Sequence, residues 1–349
     1  MEPRSVPTSR AGVVIVNFNG GSLVLRALEC LRAQTLQAAR VIVVDNASSD
    51  GSGRAIAQAH PWVELIETGE NTGFARGNNI GIRALDDCEW VALLNPDAFP
   101  QPDWLATMLD ATLRNPAFCF FSSLLLDASD PSRLDGAGDA YHVSGLAWRR
   151  EHGRPVAEFE LDEHEVFGPC AAAALYRRDA LLEVGLFDER WFCYFEDVDL
   201  AFRLRLAGHR CLLVPAARVL HQGSAITGRE SAFTLYHSHR NLVWTWARDM
   251  PSSLAVRSIP HLLLTTVLAV GWYGARGELR TLLRAKRDGF AGIPRLRRER
   301  RALHAEAQVG WRELREQMER GRSGYLTAGT RARGELDRRR DEPRGPTAS

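Results

Sequence analysis

The chain has 349 residues, 45% of them hydrophobic and 25% charged, and a formal net charge of +1. This composition is typical of a globular protein and excludes collagen-like, low-complexity and wholly disordered chains. Six cysteines without a CxxC pair indicate neither a disulfide framework nor a zinc site, which favours a reducing compartment. The first residues lack the apolar core of a secretion signal, so we expect a cytoplasmic protein.

The small net charge conceals an uneven distribution along the chain. Residues 276–344 hold 20 basic and 11 acidic side chains, whereas the remainder holds 24 basic and 32 acidic ones. Lys286 is the only lysine, so the basic excess is arginine. An acidic body with a basic tail indicates an anionic partner for the tail, either a membrane or a nucleic acid, and a merely solvated helix is the alternative.

Short β-branched runs alternate with helical stretches from residue 11 onward. The predicted strands are 12–17, 41–45, 63–67 and 90–95, and the predicted helices between them are 22–34, 51–59 and 75–85. Strands rich in Val and Ile without polar alternation are typical of parallel sheets, which are buried on both faces. The pattern predicts an α/β domain with a doubly wound, Rossmann-like sheet flanked by helices.

The second half of the chain has weaker patterns. Residues 127–166 are polar and rich in Gly and Asp, which predicts a long irregular excursion over the surface. Order returns at 168–178, and residues 203–215 are typical of a helix end, a Gly turn and a strand. The most apolar segment, 259–272, falls short of the roughly 20 residues of a bilayer span, which favours an interfacial helix or one packed on the domain.

Polar side chains follow three of the four predicted strands. They are Asn17 and Asn19 after the first, Asp45 and Asn46 after the second, and Asn95 and Asp97 after the fourth. Ligands of doubly wound sheets bind beyond the carboxyl ends of the strands, so these residues predict a pocket, although each alone could be a helix cap. Asp45 could accept the imide N–H of a uracil or thymine ring. Asn95 and Asp97 offer oxygen ligands suited to Mg²⁺ or Mn²⁺.

A Gly-rich helix start lies between the third and fourth strands. Its Gly73, Arg76 and Asn78 suit the phosphate or ribose of a nucleotide, and a plain turn into a helix is the alternative. The sequence contains neither GxGxxG nor a P-loop, and it has no GxSxG nucleophile motif.

The densest acidic cluster is Glu196, Asp197 and Asp199, at the start of a predicted helix. These residues could be N-terminal capping acids, because the helix dipole favours negative charge there. Trp191 and Tyr194 precede them, and aromatic rings beside a carboxylate are typical of a sugar-binding wall. His221 could be a third metal ligand or a histidine satisfied by its neighbours.

Taken in order, these segments resemble the inverting glycosyltransferases of family 2, which have the GT-A fold, and in particular bacterial rhamnosyltransferases of cell-surface polysaccharide synthesis. The similarity spans about residues 11–230. It rests on VVIVNFNG (13–20), VIVVDNASSDGS (41–52), NTGFARGNNIGI (71–82), VALLNPDAF (91–99), residues 168–211 and VLHQGSAIT (219–227).

The resemblance implies a role for each candidate residue. Four residues would line the base and ribose pocket of a dTDP- or UDP-sugar: Asn17, Asn19, Asp45 and Asn46. Gly73, Arg76 and Asn78 would border the nucleotide. Asn95, Asp97 and His221 would hold the divalent metal, with Asn95 also touching the nucleotide sugar and standing where a carboxylate is common in the family. Asp197 would be the catalytic base, with Glu196 beside it.

The implied organisation is a disordered N-terminus (1–10), a GT-A domain (11–250), a helical region (251–320) and a disordered tail (321–349). Within the domain, 11–126 would bind the nucleotide and 127–250 the acceptor. The expected reaction moves L-rhamnose from dTDP-rhamnose to a glycan or lipid-linked acceptor at the inner membrane face, with no nucleic acid partner. The alternatives are a non-catalytic nucleotide-sugar or glycan-binding protein and a sugar nucleotidyltransferase. The latter needs a basic Gly-rich loop after the first strand, which residues 17–22 lack.

Overall fold

The computed structural model describes residues 9–223 and 231–319. Residues 1–8, 224–230 and 320–349 lie outside this part of the chain. Most of the two ends for which disorder was predicted, 1–10 and 321–349, therefore lies outside the described residues.

The first half alternates strands and helices as predicted. Its elements are β1 (Ala11–Asn17), α1 (Gly21–Arg32), β2 (Arg40–Asp45), α2 (Ser52–Ala59), β3 (Glu64–Glu67), α3 (Gly73–Ala84), β4 (Trp90–Leu94), β5 (Ala98–Pro100), α4 (Trp104–Arg114) and β6 (Phe120–Asp127). The second half contains β7 (Leu134–Ala137), β8 (Asp139–Tyr141), β9 (Ala147–Arg149), β10 (His164–Val166), β11 (Ala173–Arg177), α5 (Arg178–Glu183), α6 (Glu196–Leu206), β12 (Cys211–His221), α7 (Ala232–Asp249), α8 (Ser252–Gly274), α9 (Leu279–Ala305) and α10 (Trp311–Glu316).

Ten of these strands form one sheet, in which the path β10-β12-β6-β11-β4-β1-β2-β3 carries β5 on β12 and β7 on β6. The β3-β2-β1-β4 half is parallel, with Asn17 of β1 in register with Asp45 of β2. Antiparallel β11 joins this half to β6 and β12, which are parallel to each other. The predicted mostly parallel sheet flanked by helices is confirmed.

The strands β1, β2 and β4 are buried on both faces, which explains their apolar sequences, whereas the edge strand β3 is partly exposed. Val14, Ile42 and Val44 face one apolar core, while Val13 and Val43 face the other. Successive side chains of a strand point to opposite faces, so a strand covered on both sides must be apolar throughout.

The expected irregular excursion at 127–166 is wrong. The segment contains β7, β8, β9 and β10, and it buries Asp135, Tyr141 and His142 almost completely. These strands have only three or four residues; β7 pairs with the preceding β6, and β10 pairs with the distant β12. Runs this short show no readable period-two pattern, which is why the sequence did not reveal them.

Three long helices form the C-terminal region, as predicted. Leu242 and Val243 of α7 pack with Leu262 of α8, and Ala247 of α7 packs with Leu296 of α9. The apolar segment 259–272 is part of α8, which has 23 residues and is long and apolar enough to cross a membrane by length and composition alone. The helix α8 is therefore longer than the apolar segment 259–272 that the sequence showed. The domain boundary at residue 250 stays a prediction.

Candidate active site

A cavity of about 700 Å³ opens where β1, β2 and β4 end and α6 begins. It lies at the carboxyl edge of the parallel strands, where ligands of such sheets bind. Eight of the predicted site residues line it: Asn46, Gly73, Asn95, Asp97, Tyr194, Glu196, Asp197 and His221. The ends of three strands and the acidic helix start thus meet in one cleft.

Asp97 and His221 face each other at the floor of this cavity. The Nε2 atom of His221 lies 3.4 Å from Oδ1 of Asp97, and both side chains are buried. Oδ1 of Asn95 is also buried and accepts no hydrogen bond within 9–223 and 231–319. A carboxylate, an amide oxygen and an imidazole make a donor set that fits Mg²⁺ or Mn²⁺.

Asp135 orients His221. The sequence did not identify Asp135 as a site residue, because it lies in the segment 127–166, which was expected to be irregular. Its Oδ2 accepts a hydrogen bond of 2.7 Å from Nδ1 of His221 and forms an ion pair with Arg149. Burial lowers the pKa of His221, but the hydrogen bonds to Asp135 and Asp97 outweigh it, so that the pKa is raised overall. Because Nδ1 is bound to Asp135, Nε2 is the nitrogen that faces the cavity.

His221 itself ends a longer strand than the sequence indicated. The predicted strand stops near Val214, whereas β12 continues to His221 with an irregularity between Val214 and Arg218. Pro215 lies at this break, and proline cannot donate to the sheet ladder. The continued strand pairs His221 with Ala98, which brings the histidine next to Asp97.

Asp197 and Glu196 form the acidic wall of the cavity at the first turn of α6. Asp197 Oδ1 accepts the backbone N–H of Val198 at 2.8 Å. Burial raises the pKa of Asp197, and backbone hydrogen bonds from Val198 and Ala171 oppose that rise. Burial, and then the charge of Asp197, raise the pKa of Glu196 far above its usual value. Asp197 is therefore the more readily ionised of the two carboxyls.

The turn before α6 has a strained backbone. Phe192, Tyr194 and Phe195 have φ angles of 65°, 67° and 67°, in a region that non-glycine residues rarely adopt. The side-chain amide of the fully buried Asn241 in α7 donates to the carbonyls of Cys193 and Tyr194 at 3.0 and 2.7 Å. Such strain persists where surrounding contacts hold it, and here it aims the start of α6 at the cavity.

Gly73 fits against the same turn. Its φ is +80°, and a Cβ atom there would lie 2.5 Å from Cδ2 of Phe192. The N–H of Ala75 donates to the Phe192 carbonyl at 3.2 Å. Gly73 therefore lets the N-terminus of α3 approach the turn before α6, and it lines the cavity as well.

Three of the predicted site residues form hydrogen bonds at the rim of the cavity but do not line it: Asn17, Asn19 and Asp45. Asn17 is fully buried, and its amide donates to Asp45 Oδ1 at 2.7 Å and to Ser52 at 2.9 Å. Oδ1 of Asn19 accepts the N–H of Ser49 at 2.8 Å. These bonds tie the end of β1 to the loop after β2, and Asn46, next to Asp45, reaches the cavity itself.

Arg76, Asn78 and Trp191 also lie outside the cavity lining. Arg76 is half exposed and stands 3.6 Å from Glu70, while Asn78 is buried and donates to the Phe74 carbonyl within α3. Trp191 is 0% exposed, and its indole N–H donates to Thr245 at 3.0 Å. The expected place of Trp191 in a sugar-facing wall is a misassignment, because it is a core residue beneath α7. Tyr194 does line the cavity.

Other lining residues were not predicted from the sequence. They are contributed by the short strands β8 and β9, by the loop before β11 and by α7: Asp139, Trp148, Arg149, Cys170 and Phe233. Trp148, Phe233 and Tyr194 give the cavity the aromatic surface that the sequence had assigned in part to Trp191. Asp139 and Arg149 lie in a Gly-rich segment whose sequence pattern did not indicate that they would lie at the site.

The chain has the GT-A fold of glycosyltransferases, as its similarity to solved structures shows. The crystal structure of GalNAc-T7 with UDP, GalNAc and Mn²⁺ matches with a TM-score of 0.56 at 16% identity, over 72% of this chain and 49% of that one. Staphylococcus aureus TarS 1–349 in complex with UDP matches with a TM-score of 0.51 at 14% identity, over 84% of this chain and 92% of that one.

The chain belongs to glycosyl transferase family 2, whose profile matches residues 12–185. An N-acetylglucosaminyl-diphospho-decaprenol L-rhamnosyltransferase of Mycobacterium tuberculosis is 32% identical over 294 residues, which cover 73% of this chain and 93% of the relative. Rhamnosyltransferase WbbL of Escherichia coli is 29% identical over 222 residues, which cover 60% and 82%. The protein is a glycosyltransferase with relatives named as rhamnosyltransferases, and the resemblance noted in its sequence is confirmed.

Proposed function

We propose that this glycosyltransferase moves L-rhamnose from dTDP-rhamnose to a lipid-linked glycan acceptor, with inversion at the anomeric carbon. The observation that carries the proposal is the meeting of Asn46, Asp97, His221 and Asp197 in one cavity. The choice of sugar and acceptor is supported by the printed names of the two relatives, one of which acts on a diphospho-decaprenol.

The donor would lie along the strand ends. Asn46 and Phe18 line the part of the cavity formed by β1 and β2, where the base and ribose of a dTDP- or UDP-sugar would bind. Asn17 and Asp45 would hold that rim in shape through their mutual hydrogen bond rather than by touching the ligand. Asn95, Asp97 and His221 would hold Mg²⁺ or Mn²⁺ beside the diphosphate. When bound, the metal supplies positive charge that stabilises the leaving diphosphate.

Asp197 would act as the general base. It takes the proton of an acceptor hydroxyl, and that oxygen forms a bond to the anomeric carbon as the carbon–oxygen bond to the diphosphate breaks. The nucleoside diphosphate leaves with the electron pair. A single displacement of this kind inverts the anomeric centre, and Tyr194 and Trp148 offer ring faces against which the sugar can pack.

Thermal unfolding of the full-length protein tests the donor proposal. The unfolding temperature is measured with each of a panel of nucleotide sugars, with and without Mn²⁺. A ligand that binds only the native state raises the unfolding temperature. We expect the largest rise in unfolding temperature with dTDP-rhamnose plus Mn²⁺. In Asp97→Ala, the additional rise caused by Mn²⁺ should be smaller than in the parent. A panel in which no nucleotide sugar raises the unfolding temperature would refute the proposal.

Asp135→Asn is expected to weaken Mn²⁺ binding in the presence of dTDP by about 10–100-fold, the usual cost of losing an outer-shell partner of a metal-binding histidine. The measurement is a Mn²⁺ titration followed by electron paramagnetic resonance, which does not depend on turnover. Asp130→Asn, at an aspartate 50% exposed in the neighbouring turn, is the matched control and should leave the affinity unchanged. Equal Mn²⁺ affinities for both variants would contradict the orienting role of Asp135.

We also propose that α8 rests on the anionic surface of the cytoplasmic membrane. Its outer face exposes Val256, Leu263, Leu264, Val267 and Leu268, while Leu254 and Leu262 are buried against the protein. Exposed arginines follow at 276, 280, 284 and 287. An apolar face followed by basic side chains suits an interfacial helix on anionic lipid. Such a position would bring the cavity to a lipid-linked acceptor.

Flotation with vesicles that contain anionic lipid tests this surface. We expect the full chain to float, and a variant with Leu263, Leu264, Val267 and Leu268 changed to Ser to stay in the soluble fraction. Leu113→Ser, at a leucine 74% exposed on α4, is the control and should float like the parent. High salt should reduce flotation in part, because it screens the arginines and leaves the apolar contact. Flotation of the quadruple variant equal to that of the parent would overturn the proposal.

A further inference from the structure

A second group of metal-binding side chains lies in the cavity, distinct from Asn95, Asp97 and His221. It consists of Asp139 on β8, Cys170 before β11 and Asp197 on α6, whose ligand atoms all lie within 4.8 Å of one another. All three residues line the cavity, so an ion can reach them from solvent. Cysteine spacing could not reveal this group, because the three residues are far apart in the sequence.

The donor chemistry of this group differs from that of the Asp97 site. A thiolate is a soft ligand that selects Zn²⁺ or Cd²⁺, whereas Mg²⁺ prefers oxygen ligands alone. Zinc binds sulfur at about 2.3 Å and carboxylate oxygen at about 2.1 Å, with water free to complete a tetrahedron. Ligand atoms in such a site are about 3.5 Å apart, so modest side-chain rotations would close the observed arrangement.

Asp139 supplies an independent observation, a buried carboxylate oxygen in the cavity that has no partner among the described residues. The residue is only 9% exposed, and its Oδ1 accepts no hydrogen bond from the part of the chain that the structure describes. Arg149, the nearby cation, is engaged with Asp135. A buried carboxylate oxygen without a partner is costly unless it is protonated or binds a metal. Burial, and then the charge of Asp197, raise the pKa of Asp139, so a positive charge beside the two carboxyls would favour their ionised forms.

We propose that Asp139, Cys170 and Asp197 form a binding site for one soft divalent cation, Zn²⁺ or Cd²⁺, and that its occupation inhibits the enzyme by engaging Asp197. The binding follows from the geometry of the three side chains. The inhibition rests on the function proposed above for Asp197.

A Cd²⁺ titration of the metal-free, full-length protein in excess Mg²⁺ tests the site. Cadmium bound to a thiolate gives an ultraviolet charge-transfer band, and the difference between the parent and Cys170→Ser separates this sulfur from the other five cysteines. Cys193→Ser is the matched control, because Cys193 lines the same cavity outside the group. We expect the band in the parent and in Cys193→Ser, its loss in Cys170→Ser, and an affinity at least about 10-fold lower in Asp139→Asn.

A band of equal intensity in Cys170→Ser and the parent, or no band in the parent, would overturn the site. Sugar transfer assayed with added Zn²⁺ then tests the consequence, since Zn²⁺ should inhibit the parent and Cys193→Ser but not Cys170→Ser. Cadmium binding without inhibition by Zn²⁺ would leave the site standing and refute Asp197 as the base. The two failures are thus distinguishable.

Discussion

Asp197→Asn is expected to lower turnover by about 10²–10⁴-fold, the contribution of a positioned general base, while the nucleoside diphosphate still binds. The asparagine keeps the shape of the side chain but cannot take a proton from the acceptor hydroxyl. Steady-state sugar transfer gives the turnover, and calorimetry with dTDP and Mn²⁺ gives the binding. The separation of the two quantities is what identifies a group that acts in the transition state.

Asp179→Asn is the matched control for this experiment. Asp179 occupies the first turn of α5 as Asp197 occupies the first turn of α6, but its side chain is 71% exposed and pairs with Arg177. The two changes remove the same charge from a helix N-terminus, so a general helix-dipole effect would appear in both. Parent-like turnover in Asp197→Asn, or an equal loss in Asp179→Asn, would remove Asp197 from the role of base.

The parallel half of the sheet could be predicted because its sequence signals are local. Both β1 and β2 are buried on both faces, so residues 12–16 and 41–44 are apolar over their whole length. The polar residues that follow them, Asn17 and Asp45, fall at one edge because parallel strands all end on the same side. The sequence did not show which of the polar residues reach the cavity. Asn46 lines it, whereas its neighbour Asp45 accepts a hydrogen bond from Asn17.

The part of the fold after residue 126 depends on long-range pairing that leaves little trace in the sequence. Asp135 reaches His221 across 86 positions of the chain, and β10 pairs with β12. The direction of each aromatic side chain before α6 is set by positive φ angles at residues 192, 194 and 195, which a residue pattern does not encode. For this reason the sequence identified an aromatic wall but placed Trp191 in it.

Arg248→Met is expected to lower the free energy of unfolding by about 3–5 kcal/mol, the usual cost of removing one partner from a buried ion pair. Arg248 on α7 is 4% exposed and contacts three carboxylates: Asp188 at 2.5 Å, Asp249 at 2.8 Å and Asp199 of α6. Burial lowers the pKa of Arg248, but these carboxylates outweigh it, so the guanidinium stays charged. Methionine fills much of the space but removes this cation from all three acids. Asp188 and Asp199 keep Arg190 and Arg203, whereas Asp249 loses the guanidinium that pairs with it.

Urea unfolding measures this loss, with Arg287→Met on α9 as the control. Arg287 is 75% exposed and pairs with Asp288, and surface pairs of this kind contribute about 0–1 kcal/mol. Adding Asp199→Asn to Arg248→Met tests the direct pairing of the two side chains, since Asp199 also pairs with Arg203. If Arg248 and Asp199 act through each other, the double variant should lose less stability than the two single losses combined. Additive losses would show that Arg248 does not act through Asp199. A loss no larger than that of Arg287→Met would show that the helix carrying Asp197 is not held in place by this buried arginine.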